Sequence, residues 1–183
     1  SSLNKIDCFC FNMCMSLIEI EIPSSVNNIE KGAFNECSSL KIVKINGPLN
    51  EIKDNTFYNC SSLIEINIPS SVSKIGKNAF TQCSSLKQIS IPASVVNIEM
   101  NVFAYCSSLE KVMFLAPSSL NYVGSRSFEQ CKSLKEIDFP SSISSFGCNV
   151  LSGCSSLEQI TISQPVDLKR LGVENSNIKI NCK

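Results

Sequence analysis

Residues 83–106 read CSSLKQISIPASVVNIEMNVFAYC, and the cysteines at the two ends of this stretch belong to a column that runs through the chain. Cys14, Cys37, Cys60, Cys83 and Cys106 stand 23 residues apart; Cys131 follows after 25 and Cys154 after 23 more. Inside each interval the apolar residues keep fixed places. Leu86 has counterparts in Leu17, Leu40, Leu63, Leu109, Leu134 and Leu157. A strict period of this length marks a solenoid, in which each coil stacks on its neighbours and all coils share one continuous core.

Two further columns follow each leucine. Ile20, Val43, Ile66, Ile89, Val112, Ile137 and Ile160 form the first; Ile22, Ile45, Ile68, Ile91, Phe114, Phe139 and Ile162 form the second. They alternate with mostly polar positions, the period-2 pattern of a strand buried on one face. Pro23, Pro69, Pro92, Pro117 and Pro140 come next, and a residue without an N–H ends a parallel ladder there. Val26, Leu49, Val72, Val95, Leu120 and Ile143, then Ile29, Ile52, Ile75, Ile98, Val123 and Phe146, predict a second short strand or extended segment. Phe11, Phe34, Phe57, Phe80, Phe103 and Phe128 fill the far corner, with Leu151 in the last full unit. Gly76, Gly124 and Gly147 share a column with Glu30, Lys53 and Glu99, so that column does not demand a left-handed backbone.

The expected fold is therefore a β-rich solenoid of about seven 23-residue coils, with stacked parallel strands on one side and short turns, 3-10 or extended segments on the other. Residues 1–166 form it, beginning mid-coil because Leu3 and Ile6 stand in register with Val26 and Ile29. Residues 167–183 leave the repeat and are expected to cap the stack with Leu168, Leu171, Ile178 and Ile180. Two irregularities stand out: Leu115 and Ala116 are inserted before Pro117, and Asn46-Gly47-Pro48 displaces the proline of its coil. The insertion predicts a bulge or a longer strand.

This pattern resembles the BspA-type leucine-rich repeat family, whose units run close to Cys-x-x-Leu-x-x-Ile-x-Ile-Pro-x-x-Val-x-x-Ile-Gly-x-x-Ala-Phe. Residues 83–106 match nearly every anchor, and the likeness extends over about residues 1–166. The resemblance implies a non-enzymatic protein-binding scaffold, since the family is known for surface adhesins and leucine-rich repeat proteins more broadly include intracellular adaptors and phosphatase regulators. A solenoid is a scaffold, however, and its function lies in whatever decorates it.

Eleven cysteines raise the question of bridges. Stacked neighbours in a column lie roughly 4.8 Å apart with parallel side chains, which does not give the ~3.8 Å Cβ separation of a relaxed disulfide. A buried thiol ladder, each S–H meeting a backbone carbonyl, is expected instead. Such a ladder suits a reducing compartment, so an intracellular protein of cytoplasm or nucleus is favoured over the alternative, a cell-surface adhesin. Cys8, Cys10 and Cys14 crowd the first coil, but Cys10 aligns with the small, buried position of Ala33 and Ala79 while Cys8 aligns with the exposed Lys31 and Lys77. They need not converge on a metal, and no cofactor is expected.

Function is sought on the solvent face of the main strands, a rigid and pre-organised surface. Its candidate partner-binding residues are Glu19, Glu21, Ile42, Lys44, Glu65, Asn67, Gln88, Lys111, Met113, Glu136 and Asp138. Ile42 and Met113 are the apolar exceptions on a polar face and the natural anchors for a protein partner. Lys111-Val112-Met113-Phe114 also fits the basic-Val-x-Phe docking pattern of protein phosphatase 1, though Val112 and Phe114 fall in core columns. The favoured expectation is an intracellular adaptor or regulatory subunit with a phosphatase catalytic subunit as partner.

Other function classes are weakened by composition. Sixteen basic and sixteen acidic residues cancel without a basic run, so a nucleic-acid footprint is missing. No apolar stretch reaches the ~20 residues of a membrane span. Catalysis is not expected, because the chain has no histidine and its serines recur in turn columns such as Ser38-Ser39 and Ser84-Ser85.

Overall fold

The computed structural model describes residues 3–163, 165–173 and 178–182. Short strands on one side of each coil build a minor sheet in two hydrogen-bonded segments, the first of β1 (Lys5–Ile6) and β3 (Asn28–Ile29), the second of β5 (Glu51–Ile52), β7 (Lys74–Ile75), β9 (Asn97–Ile98), β11 (Tyr122–Val123) and β13 (Ser145–Phe146). Longer strands on the other side build the main sheet: β2 (Glu19–Ile22), β4 (Ile42–Ile45), β6 (Glu65–Ile66), β8 (Gln88–Ile91), β10 (Lys111–Phe114), β12 (Glu136–Asp138), β14 (Gln159–Ile162) and β15 (Lys179–Cys182). Every pairing is parallel and joins equivalent positions of successive coils.

The columns of the sequence are the core. The leucines from Leu40 to Leu157 and the phenylalanines from Phe34 to Phe128 are buried. From Phe11 to Phe128 the rings stack face to face at 5.2–5.4 Å. After Pro23, Pro69, Pro92 and Pro140 the chain reverses through a tight turn, as in the bonds from Val72 N–H to the Pro69 carbonyl and from Val95 N–H to that of Pro92. On the far side every second amide donates to the next coil, Gly32 to Asp54, Phe34 to Thr56 and Glu36 to Tyr58. The amides between them bond within their own turn. Alternation of this kind satisfies the backbone without a helix.

Two left-handed positions per coil make that far side possible. One column holds Asn55, Asn78, Asn101 and Asn149, with Gly32 and Gly172, Phe9 and Arg126. The other, just before each cysteine, holds Met13, Glu36, Asn59, Gln82, Tyr105, Gln130 and Gly153. Asparagine and glycine tolerate positive φ best, which accounts for the first column. Its Asn55, Asn78 and Asn101 side chains also bond to one another coil to coil at 3.0 Å.

The cysteine column is a ladder of thiols. From Cys37 to Cys154 each Sγ donates to the carbonyl of the corner phenylalanine one coil below, at 2.9–3.2 Å. All eleven cysteines are free. Loss of hydration pushes the thiol of Cys37 up to about 11 and those of Cys106 and Cys154 to about 12, and raises Cys60, Cys83 and Cys131 as well. Cys10 departs from expectation: it is exposed, whereas Ala33 and Ala79 of the same column are buried.

Among the described residues the chain also makes an eighth main strand. β15 pairs with β14 in the register Ile160 to Ile180 and Ile162 to Cys182, which places Cys182 at the exposed end of the last strand. Leu171 and Val173 are buried, and Leu168, Ile178 and Ile180 pack half-buried on the core. Residues 174–177 and 183 of the expected cap lie outside the described residues.

The main sheet falls into three hydrogen-bonded segments, β2-β4-β6, β8-β10 and β12-β14-β15. At the first break, between β6 and β8, β6 is short; on its other side, toward β4, the Asn67 side chain continues the ladder beyond the strand's end, accepting from Ile45 N–H at 2.8 Å and donating to the Ile45 carbonyl at 2.9 Å. At the second, phenylalanines replace the isoleucines of the other coils. Phe114 and Phe139 tilt by 37° at 5.8 Å rather than stacking, and the ladder between β10 and β12 is lost. The inserted Leu115 lengthens the β10 ladder by one bond, to the Ile91 carbonyl, before the chain leaves the sheet.

Candidate functional site

Strand alternation turns one set of side chains away from the core, and all eleven predicted residues share that outward face. Glu19, Ile42 and Glu65 are register partners; so are Gln88 and Lys111, and Glu136, Gln159 and Lys179. Beside them run Glu21 and Lys44, with Asn67, Met113 and Asp138 in the same column. Their burial is uneven. Ile42 and Met113 are half-buried rather than exposed, since flanking strands cover their sides.

A third outward column escaped the sequence reasoning. Ile18, Lys41, Ile64, Lys87, Glu110, Lys135 and Glu158, one step before each strand's first outward residue, are all exposed. Ile18 is 58 % and Ile64 49 % exposed, so the apolar prominence of the N-terminal half comes from these two with Ile42 between them. The signal was available as a column alternating Ile with Lys beside the leucines.

Several predicted residues are already engaged. Lys44 pairs with Glu19 at 3.4 Å, Glu21 accepts from Asn46 at 2.8 Å, and Asn67 is bonded to the Ile45 backbone. Lys111, Met113, Glu136 and Asp138 stand elsewhere on the face, where it sinks into two adjoining hollows of about 800 and 370 Å3 over β10, β12 and β14. The hollows share Lys111, Glu136 and Gln159, and Met113 lines the smaller one. They sit over the second sheet break.

The minor sheet carries charge differently. Glu30 is held by Lys53 at 2.8 Å and by Lys5 at 3.4 Å, and Lys74 by Glu99 at 3.1 Å. The hydrogen bond from Lys53 lowers the Glu30 carboxyl to about 2. Its charges are largely paired within the protein.

The sequence matches the BspA type leucine-rich repeat region in six copies, over residues 4–116 and 74–179. The chain belongs to the BspA-type leucine-rich repeat family. Among solved structures it is similar to a leucine-rich cell surface protein of Faecalibacterium prausnitzii A2-165, with 33 % identity, a TM-score of 0.76, and coverage of 87 % of this chain and 43 % of that one. It also shares its fold with the T. pallidum leucine-rich repeat protein, at 23 % identity and a TM-score of 0.62, over 98 % of this chain and 81 % of that one. The pneumococcal vaccine antigen PcpA shares it too, at 20 % identity and a TM-score of 0.54, over 88 % and 54 %. The chain thus spans less than half the length of the Faecalibacterium protein. None of the curated proteins matches it.

These relationships correct the expected intracellular location. The 33 % identical relative is a leucine-rich cell surface protein. The premise fails physically as well: thiols that are buried, bonded to carbonyls and held protonated are poor substrates for oxidation, so the ladder is compatible with an oxidising exterior. The column therefore carries no information about compartment.

The phosphatase docking pattern is not presented. Lys111–Phe114 is β10 itself, laddered to β8, with Val112 only 8 % exposed. The serine columns act between coils: Ser71, Ser94 and Ser142 donate to the carbonyls of Leu49, Val72 and Leu120 at 2.6–2.7 Å. Among the described residues no helix is long and apolar enough to cross a membrane.

Proposed function

We propose that the chain is a non-enzymatic, surface-displayed protein-binding module, an adhesin, that holds a protein partner on the outward face of its main sheet. The observation that carries this reading is the face itself. Eight parallel strands, anchored from behind by a continuous core, fix three columns of side chains in a repeating frame. Little ordering entropy is lost when a partner docks on such a surface. Display outside the cell is supported by the likeness to the 33 % identical cell surface protein of Faecalibacterium prausnitzii. Within this reading residues 1–166 form the binding solenoid and 167–183 close its C-terminal end.

The test has two arms. Antibodies against the chain are applied to intact source cells with and without surface proteolysis, and the purified chain is tested against immobilised extracellular-matrix and serum proteins. Protease-sensitive labelling of intact cells together with saturable binding to at least one matrix or serum protein supports the proposal. Labelling only after permeabilisation, or no saturable binding, contradicts it.

A further inference from the structure

The charges around the larger hollow alternate in sign in two directions. Along the stack, Glu110, Lys135 and Glu158 follow one another in the newly found column, and Lys111 and Glu136 face each other across the sheet break, with Lys179 two coils on. Within each coil the two neighbours are also opposite: Glu110 beside Lys111, Lys135 beside Glu136. Among the described residues none of these six side chains makes an ion pair, whereas Lys5, Glu30, Lys53, Lys74 and Glu99 of the minor sheet all do. Opposite charges on adjacent strands ordinarily pair when their geometry allows it. Here they line the hollow without meeting.

We infer that this hollow is a reader of charge order, whose occupant is a segment of a partner protein carrying acidic and basic side chains in alternation. The inference rests on the proposed role of the sheet face and names the chemistry of its partner. Three lysines balanced by three glutamates create no net field, so a polyanion such as a sulfated glycan or nucleic acid gains nothing here that the acids do not take back. A segment of matching alternate charge, by contrast, meets an opposite charge at each step and a like charge if it slips by one coil. That is the arrangement by which electrostatics set register and reject wrong partners. Met113, with the partly covered Phe114, gives the adjoining smaller hollow an apolar floor for a side chain between the charges.

The test uses random dodecapeptides displayed on phage, panned on the whole chain and on a charge-inverted variant, Lys135→Glu with Glu136→Lys. Both residues are exposed, so the variant is expected to keep the wild-type melting temperature. Peptides retained by the wild type are expected to carry both signs in alternation. They should bind the variant at least about tenfold more weakly, because two charge contacts are inverted. Enrichment of single-sign or uncharged peptides, equal binding to both proteins, or no enrichment overturns the inference. If the chain nevertheless binds a matrix or serum protein through its sheet face, the adhesin proposal stands and only the charge-order reading falls.

Discussion

The Sγ of Cys83 donates to the carbonyl oxygen of Phe57 at 3.2 Å, and the same bond recurs from Cys37 to Cys154. It ties the corner of each coil to the one below, and both groups are shielded from water. A side chain able to fill a small apolar site and still donate weakly is what that corner requires, and cysteine meets both needs.

The ladder makes stability depend on alkali. The folded chain holds these thiols protonated up to about 11 for Cys37 and about 12 for Cys106 and Cys154, against an ordinary value of 9.0. The unfolded chain releases its protons first, so the stabilisation is complete below pH 9 and is lost progressively between about 9 and 12. Urea midpoints measured across that range are expected to fall. In native protein at neutral pH, maleimide should label Cys8, Cys10, Cys148 and Cys182 quickly and the buried column only on unfolding; rapid labelling of Cys83 would refute the ladder.

Gln82 is exposed and carries φ of 63° in a column that ends with Gly153. A non-glycine residue pays about 1 kcal/mol for that conformation. Gln82→Gly is expected to raise stability by roughly 0.5 kcal/mol after the entropy of the unfolded glycine is counted. Chemical denaturation of the pair of proteins checks the sign.

Leu86 is fully buried between equivalent leucines of the coils on either side. Leu86→Ala leaves a cavity that two neighbouring coils must share, and a loss of roughly 2–5 kcal/mol is expected. A loss below 1 kcal/mol in thermal or urea unfolding would mean that the stack collapses around the gap.

Removal of residues 166–183 strips β15 from β14 and uncovers the side of the core that Leu171 and Val173 protect. The shortened chain is expected to melt at a lower temperature and to aggregate more readily, since the end of a solenoid needs cover. An unchanged melting curve would show that the segment does not contribute to the stack.

The columns of Leu, Ile, Phe and Cys were legible because each coil repeats one environment, and a side chain that fits once fits again. The strand faces followed from alternation around Ile89 and Ile91. What stayed hidden depends on departures from the repeat or on backbone geometry. Ile180 stands 20 residues after Ile160, off the period, yet its strand pairs in register. Asn67 occupies an outward column, and only coordinates reveal that its amide substitutes for a ladder. The left-handed column was written in Asn55, Asn78, Asn101 and Asn149, but Arg126 and Phe9 break its appearance. The third outward column was overlooked because strict alternation counts only one residue between Leu17 and Ile20 as outward, whereas Ile18 and Glu19 both reach solvent.

The most direct test of the central claim is capture of an extracellular partner by three proteins side by side: the wild type, the double variant Ile42→Asp/Met113→Asp, and Lys77→Asp as a control on the opposite side. Ile64→Asp, at an exposed site, serves as a second face variant should the double variant melt early. Apolar anchors at the centre of an interface contribute about 1–2 kcal/mol or more each, so the face variants are expected to bind at least about tenfold more weakly while the control binds as wild type. Undiminished binding by the folded face variants, or loss of binding in Lys77→Asp alone, would contradict the assignment of the main-sheet face.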